Sequence, residues 1–465
     1  MRRLLIAVCS LFVVTAFAQG SPPNVVLIVA DDLGYADLGV TGSDYHVTPH
    51  LDALAAESVR FTRAYTNAPN CAPTRAALMS GMYAPRTGIY TVGNPDRGRS
   101  RDRKLIPTPN ETVLRDDIVT LAEALRGGGY RTGIFGKWHL GDDPRTQGFE
   151  TAFISGMRGH PKSYFGPFED LSGSTRDDYL DDTLTDAAIK FAAEGDSPFF
   201  LYLPHYTVHT PIQPEPARLA AAEARLPGER HSRPNYAAMV ESLDANVGRL
   251  LDTLQQHGLE ENTVVVFISD NGGAEGWTTM TPMRGAKGQL YEGGLRTPMF
   301  VRWPARFEPR DVTEPALTFD LYPTLIELSG VKLPEQPMDA HSLVPLLNGG
   351  DALAEPREAL YFHFPAYLQR GDRDRPFRTT PAGAIVTPSG LKLIEYFEDG
   401  SVELFDLAQD ASETINLAAD RPEVASRLRN QLAQWRAELN APVPTQPNPK
   451  YRPRESETTE EELSE

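Results

Sequence analysis

Four continuous apolar runs, each closing on a polar cluster, constrain this chain more than any other feature. Asn24–Ala30 runs into Asp31-Asp32, and Tyr130–Phe135 into Gly136-Lys137-Trp138-His139. Pro198–Leu203 runs into Pro204-His205 and then His209, and Thr263–Ser269 into Asp270-Asn271-Gly272-Gly273. Such runs, rich in β-branched and aromatic residues, suit strands buried on both faces. Segments of helical period lie between them. Thr48–Ser58 carries Leu51, Leu54 and Ala55 on one face, and Ile118–Leu125 stops at Gly127-Gly128-Gly129. Tyr236–Gln256 spaces Met239, Leu243, Val247, Leu250, Leu251 and Leu254 along one stripe. The alternation predicts an α/β fold, a large, mostly parallel mixed sheet flanked by helices. Ligands of such sheets bind beyond the carboxyl ends of the strands, so the four polar clusters are expected to share one site.

After about residue 350 the pattern changes. Ala359–His363, Ala384–Val386, Leu391–Tyr396 and Val402–Asp406 read as short strands separated by turns such as Ser389-Gly390 and Asp399-Gly400. A helix follows, with Asp420 as its expected cap, Pro422 in its first turn, and Val424, Leu428, Leu432, Trp435 and Leu439 as its stripe. A smaller C-terminal antiparallel sheet plus helix is therefore expected beside the main domain. The expected divisions are a leader over 1–18, a catalytic domain over 19–350, a C-terminal α+β subdomain over 351–445, and an acidic, disordered tail over 446–465.

The leader reads as a signal peptide: basic Arg2-Arg3, an apolar run from Leu4 to Phe17, and a small-x-small cleavage pattern at Ala16-Phe17-Ala18. The run is too short for a comfortable membrane span of about 20 residues. A secreted or periplasmic protein, cleaved near Ala18 and without a stable membrane anchor, is expected. Of the two cysteines, Cys9 lies in the leader, which leaves Cys71 alone in the mature chain. A lone thiol in an oxidising compartment needs burial or chemical alteration. The formal charge of −18 becomes more negative once Arg2 and Arg3 are removed. That balance makes nucleic acid and anionic membranes poor partners. Exposed charges beyond about 8 Å are screened, so an anionic ligand is still admissible at a suitable local site.

Asp31-Asp32 and Asp270-Asn271 offer three carboxylates and an amide at strand ends. If they converge, they favour a hard cation, calcium or magnesium, over zinc; an isolated pair reads rather as a turn or helix cap, and it is the second strand-end pair that points toward metal. Cys71 stands in Asn70-Cys71-Ala72-Pro73-Thr74-Arg75. Pro73 suits a first helical turn, which places Cys71 near the positive end of a helix. The plain reading is a buried core thiol. Arg75 sits poorly with that reading, and a soft thiolate is mismatched to a hard cation, so the working group at position 71 is expected to be an oxygen.

Cys71-Ala72-Pro73-Thr74-Arg75, followed by Leu78-Met79-Ser80-Gly81, closely resembles the signature of the type I, formylglycine-dependent sulfatases of the alkaline-phosphatase-like superfamily. The chain departs slightly, with Thr74 where serine is usual and Ser80 where threonine is usual. The resemblance extends through Asp31–Tyr35, Gly136–Gly141, His209-Thr210-Pro211, Asp270–Gly272 and Gly285–Gly293. It implies a sulfuric ester hydrolase in which Cys71 is oxidised to Cα-formylglycine by a formylglycine-generating or anaerobic maturation enzyme. The hydrated aldehyde is then the nucleophile, and a covalent sulfate ester the intermediate. By the same resemblance Asp31, Asp32, Asp270 and Asn271, with an oxygen of modified Cys71, hold one calcium ion per chain. Arg75 steadies the formylglycine, Lys137 and Lys287 grip sulfate oxygens, His139 acts as base and His209 as acid at the leaving oxygen.

A sulfated polysaccharide or oligosaccharide is the expected substrate. Export and acidity suit that choice, and Arg158, His160, Lys162, Tyr164 and Phe165 form a segment rich in recognition groups, with Arg158 and His160 as candidate substrate contacts. The alternatives are small aryl sulfates, a formylglycine-dependent phosphonate or phosphate diester hydrolase, and a non-catalytic glycan binder. His205 is left open, and His46, His50, His231 and His257 are assigned no role.

Overall fold

The computed structural model describes residues 21–169, 171–369 and 376–453. The leader and the acidic end from 454 onward lie outside the described residues. Among the described residues an eight-stranded sheet forms from Asn24–Ala30 (β1), Val59–Phe61 (β2), Arg131–Phe135 (β3), Thr151–Phe153 (β4), Phe199–Pro204 (β5), Thr263–Ser269 (β6), Met299–Arg302 (β7) and Arg310–Val312 (β8). Their spatial order is β4-β3-β5-β1-β6-β7-β2-β8. All neighbours run parallel except β7, which is antiparallel to both β6 and β2.

Strand alternation explains why both faces are covered. Val25, Leu27 and Val29 of β1 enter one apolar cluster, packed with helices Cys71–Ser80 (α2), Leu121–Gly127 (α3) and Leu321–Leu328 (α6). Val26, Ile28 and Ala30 enter another, against Pro49–Ala56 (α1), Leu180–Ala193 (α4) and Pro234–Gln256 (α5). α1 buries Leu51, Leu54 and Ala55, as its spacing predicts. α3 begins later than the apolar pattern suggests. Thr120 caps it by accepting from the Glu123 N–H while Glu123 answers the Thr120 N–H, so the reciprocal box fixes the start at Leu121.

The C-terminal sheet orders Leu360–Phe364 (β9), Ala382–Val386 (β10), Leu391–Tyr396 (β11) and Val402–Asp406 (β12) consecutively and antiparallel. Pro422–Glu438 (α7) packs on it through Leu428, Leu432 and Trp435. Asp420 does not cap this helix. Pro422 occupies its first turn, so Arg421 becomes the cap residue, without a side-chain cap bond. Residues 446–453, assigned to the disordered tail by sequence, are instead packed. Ile106 N–H donates to Gln446 O (2.9 Å), Asn448 N–H to Lys104 O (2.8 Å), and Asn448 Nδ2 to Ser100 O (2.7 Å). Prolines and an asparagine in this stretch conceal a backbone that follows residues 100–106. Among the described residues no helix is long and apolar enough to cross a membrane.

Candidate active site

The register of the sheet places the acids. Ala30 pairs with Ser269 at the ends of β1 and β6, so Asp31-Asp32 and Asp270-Asn271 emerge side by side. Asp270 N–H donates to Ala30 O (3.1 Å) and Asp31 N–H to Thr207 O (2.9 Å), which fastens a third strand end to the first two. β3 joins them through Lys137 N–H, which donates to Pro204 O at 2.7 Å. The turn before it requires glycine: Gly136 has φ +119°, and a Cβ there would stand 2.2 Å from the Pro204 carbonyl oxygen. Asp32 and His139 themselves hold φ of 62° and 67°. Left-handed backbone at non-glycine residues is costly and concentrates at functional sites.

Cys71 opens α2, and its N–H donates to the Asn70 side chain at 3.0 Å. Arg75, one turn on, donates from Nε to Asp270 Oδ2 (2.9 Å), brings Nη2 to 2.8 Å of the same oxygen, and donates from Nη1 to Lys137 O (2.7 Å). The thiol is thus aimed at the acids, with Sγ 3.7 Å from Asp31 Oδ1 and 4.0 Å from Asp32 Oδ1. Lys137 Nζ lies 2.6 Å from Asp31 Oδ2, and Lys287 Nζ lies 2.5 Å from Asp32 Oδ1. The loop that carries Lys287 is strapped down at both sides, by Lys287 N–H to Gly273 O (3.0 Å) and Gly288 N–H to Pro69 O (2.8 Å).

Three carboxylates therefore face Arg75, Lys137 and Lys287. Burial pushes the Asp31 carboxyl up to about 8 against the pull of Lys137. Asp32 moves the other way: burial raises it, but Lys287, His209 and Lys137 outweigh that and hold it well below the usual range. Burial also pushes the Cys71 thiol up to about 12, despite both lysines. A thiol so placed is almost wholly protonated at neutral pH and is a poor nucleophile.

His139 is buried, and burial together with Lys137 and Arg75 keeps it neutral. Gly159 closes over its ring; a Cβ at 159 would meet His139 Cε1 at 2.5 Å. His209 brings Nε2 to 3.7 Å from Asp32 Oδ2, and burial lowers it to about 4 although Asp32 opposes. His160 stacks on His209, with ring centroids 5.8 Å apart and planes within 8°. Arg158 is turned elsewhere: it pairs with Glu169 at 3.0 Å, a carboxylate that also takes Lys162. His205 is fully buried and sits 3.2 Å from Asp181.

The donor set fits a hard divalent cation. One ligand atom from each of Asp31, Asp32, Cys71 and His209 lies within 4.8 Å of the others. Asn271 Oδ1 is a buried acceptor without a hydrogen-bond partner, while Asn271 Nδ2 donates to Asp32 Oδ1 at 2.9 Å. Carboxylate and amide oxygens are what calcium takes. Asp270 keeps one oxygen on Arg75 and the other on Asp32 N–H (3.3 Å).

Two cavities flank this pocket. One of about 360 Å³ is lined by Arg158, His160, Lys162, Phe165 and Tyr206. The other, about 640 Å³, lies where residues 275–291 meet the C-terminal sheet, and Arg284, Gln289, Tyr291, Arg378 and Tyr396 line it.

A model of the Sulfatase family matches residues 23–331, and one described as N-sulphoglucosamine sulphohydrolase, C-terminal, matches residues 286–438. The chain is 34% identical to a sulfatase of Formosa agariphila, over 90% of each chain. It is 31% identical to arylsulfatase A of Homo sapiens, over 95% of this chain and 92% of that one. The crystal structure of Ps i-CgsB in complex with k-i-k-neocarrahexaose superposes with a TM-score of 0.73 at 28% identity, covering 95% of this chain and 97% of the other. With a family model over most of its length and such relatives along nearly all of it, the chain belongs to the sulfatase family, enzymes that hydrolyse sulfate esters.

Proposed function

We propose that the chain releases inorganic sulfate from a sulfated oligosaccharide or polysaccharide, with residue 71 working as formylglycine. The observation that carries the chemistry is the buried Cys71 thiol, pushed up to about 12 yet placed 3.3 Å from Lys287 and 3.7 Å from Asp31. Such a thiol is useless for attack, whereas an aldehyde hydrate at the same place supplies a hydroxyl nucleophile. Calcium, held by Asp31, Asp32, Asp270 and Asn271, supplies charge stabilisation for sulfate oxygens when bound.

The chain's own residues do the rest. Lys137 and Lys287 bind the sulfate oxygens and stabilise charge as it redistributes in the transition state. Arg75 orients the start of α2 through Asp270. His139, kept neutral by its surroundings, takes a proton from the hydroxyl at residue 71. His209 carries a proton to the departing alcohol oxygen, and the negative charge of a bound ester favours its protonated form.

The glycan reading is supported by the two flanking cavities, by His160 stacked on His209, and by a similar structure solved with k-i-k-neocarrahexaose. Secretion or periplasmic residence belongs to the same proposal. The test pairs mass spectrometry of the peptide spanning Cys71 with kcat/KM on sulfated oligosaccharides, aryl sulfates and phosphonate esters. Conversion at Cys71 and a preference for oligosaccharides is expected. Full activity with an unconverted thiol removes the chemistry; a preference for aryl sulfates that Arg158→Ala and His160→Ala leave unchanged removes the glycan.

A further inference from the structure

A second cluster of ligating side chains lies outside this pocket. Asp37 follows β1, His46 precedes α1, and His231 precedes α5; all three are buried, with relative exposures of 0, 6 and 3%. One ligand atom from each lies within 4.8 Å of the others. The two imidazole rings are 4.8 Å apart.

Hydrogen bonding fixes what each group offers. Asp44, held as a carboxylate by backbone N–H groups and by His231, lies 2.9 Å from His231 Nδ1, so that nitrogen carries the proton. In the neutral ring, His231 Nε2 offers its lone pair; it is buried and without a hydrogen-bond partner. His46 Nδ1 likewise faces the Asp37 carbonyl oxygen at 2.9 Å. Each ring is oriented through Nδ1 by an oxygen, the arrangement that metal-binding histidines adopt. The Asp37 carboxylate accepts from Gly34 N–H (2.7 Å), Tyr236 Oη (2.7 Å) and Thr278 Oγ1. That fills three of about four lone-pair sites.

His231 Nε2 stands 3.5 Å from Asp37 Oδ1. Two acceptors so close repel unless a positive charge lies between them. The gap exceeds a normal N–H···O bond of about 2.7–3.2 Å. It suits two ligands of one tetrahedral ion at about 2.0–2.1 Å from each, which places them roughly 3.3 Å apart. A cavity of about 190 Å³ lies beside these groups, lined by His46, His231 and Thr278 and also by Arg230 and Arg233.

We infer that Asp37, His46 and His231 bind a second divalent ion, of the zinc class. Two imidazoles and one carboxylate select a borderline transition metal over calcium, so the two sites sort ions by donor type. The ion would also brace the catalytic pocket, because Tyr236 Oη joins Asp37 Oδ2 to the Asp32 carbonyl oxygen (3.2 Å).

The test uses the full chain, stripped by a chelator and reloaded with excess calcium to occupy the hard site. Cobalt(II) is then titrated in. One equivalent with the intense visible bands of four-coordinate cobalt, displaced by zinc, is expected. His231→Ala and His46→Ala should each lose those bands while circular dichroism stays native. Should either variant unfold, His231→Cys serves in its place and must keep the bands and add a thiolate-to-cobalt transition. Absence of the bands in wild type, or bands that survive both histidine variants, overturns the proposal. So does His231→Cys binding cobalt without the sulfur transition.

Discussion

Lys287 Nζ lies 3.3 Å from Cys71 Sγ, across 216 residues of sequence. Its second contact, 2.5 Å to Asp32 Oδ1, places one ammonium between the proposed reacting residue and a proposed calcium ligand. Lys287→Ala is expected to lower kcat/KM by about 10²–10³-fold, as for loss of one preorganised donor to a transition-state oxygen. Lys287→Arg should not restore it, because the planar guanidinium is larger than the point charge it replaces. A loss under tenfold would place Lys287 outside the reacting group.

Arg75 is 1% exposed and is the partner of Asp270. Arg75→Ala leaves a buried carboxylate without its cation, a change that costs about 3–5 kcal/mol. Urea unfolding of the cation-free protein checks this. An unchanged midpoint would mean that the pair is not buried in solution.

Gly159 covers His139 so closely that a Cβ would lie 2.5 Å from the ring. Gly159→Ala should displace the imidazole and reduce kcat/KM by roughly 10²-fold, the scale of a 1 Å misplacement. Melting temperature should change little, since residue 159 is partly exposed. Activity equal to wild type would count against His139 as the base.

Chelation of the cation should lower the melting temperature, because Asp31, Asp32 and Asp270 then face one another with only the chain's own cations as relief. At calcium a hundredfold above Kd the stabilisation is about 2.7 kcal/mol. Differential scanning with and without a chelator measures it, and coincident curves would refute a bound ion.

His363 is fully enclosed by the C-terminal subdomain; burial lowers it to about 4, and its Nε2 donates to Pro442 O at 2.9 Å. The unfolded chain takes up the proton near pH 6.5, whereas the folded chain refuses it until about pH 4. This contribution is complete above pH 6.5 and is lost as pH falls toward 4, to an extent of order 2–3 kcal/mol. His363→Gln keeps a donor for Pro442 without titrating. Its stability deficit at pH 7 should therefore shrink as pH falls, in parallel urea titrations; a constant deficit would exclude the mechanism.

Particular residues show why some features were legible in the sequence and others were not. Asn24–Ala30 and Thr263–Ser269 are buried throughout and apolar between their polar end residues, so composition and length alone locate β1 and β6. The pocket followed from strand ends, because parallel register delivers those ends to one edge. The start of α3 was also written locally, in Thr120 and Glu123, but the apolar pattern of Ile118 drew attention away from it. Asp37, His46 and His231 carry no such pattern. Their meeting depends on how two loops fold back against α5, and nothing in the spacing of 37, 46 and 231 encodes it.

The pairing of three buried acids with Arg75, Lys137 and Lys287 bears on how substrate arrives. The pocket's cations are paired and largely buried, so their field is screened beyond its mouth, and the surrounding chain is acidic. Capture of a polyanion is then opposed at long range and favourable only on contact, so added salt should speed association by muting the repulsion. Selectivity among anionic chains is consequently decided at the surface of the pocket rather than during diffusion toward it.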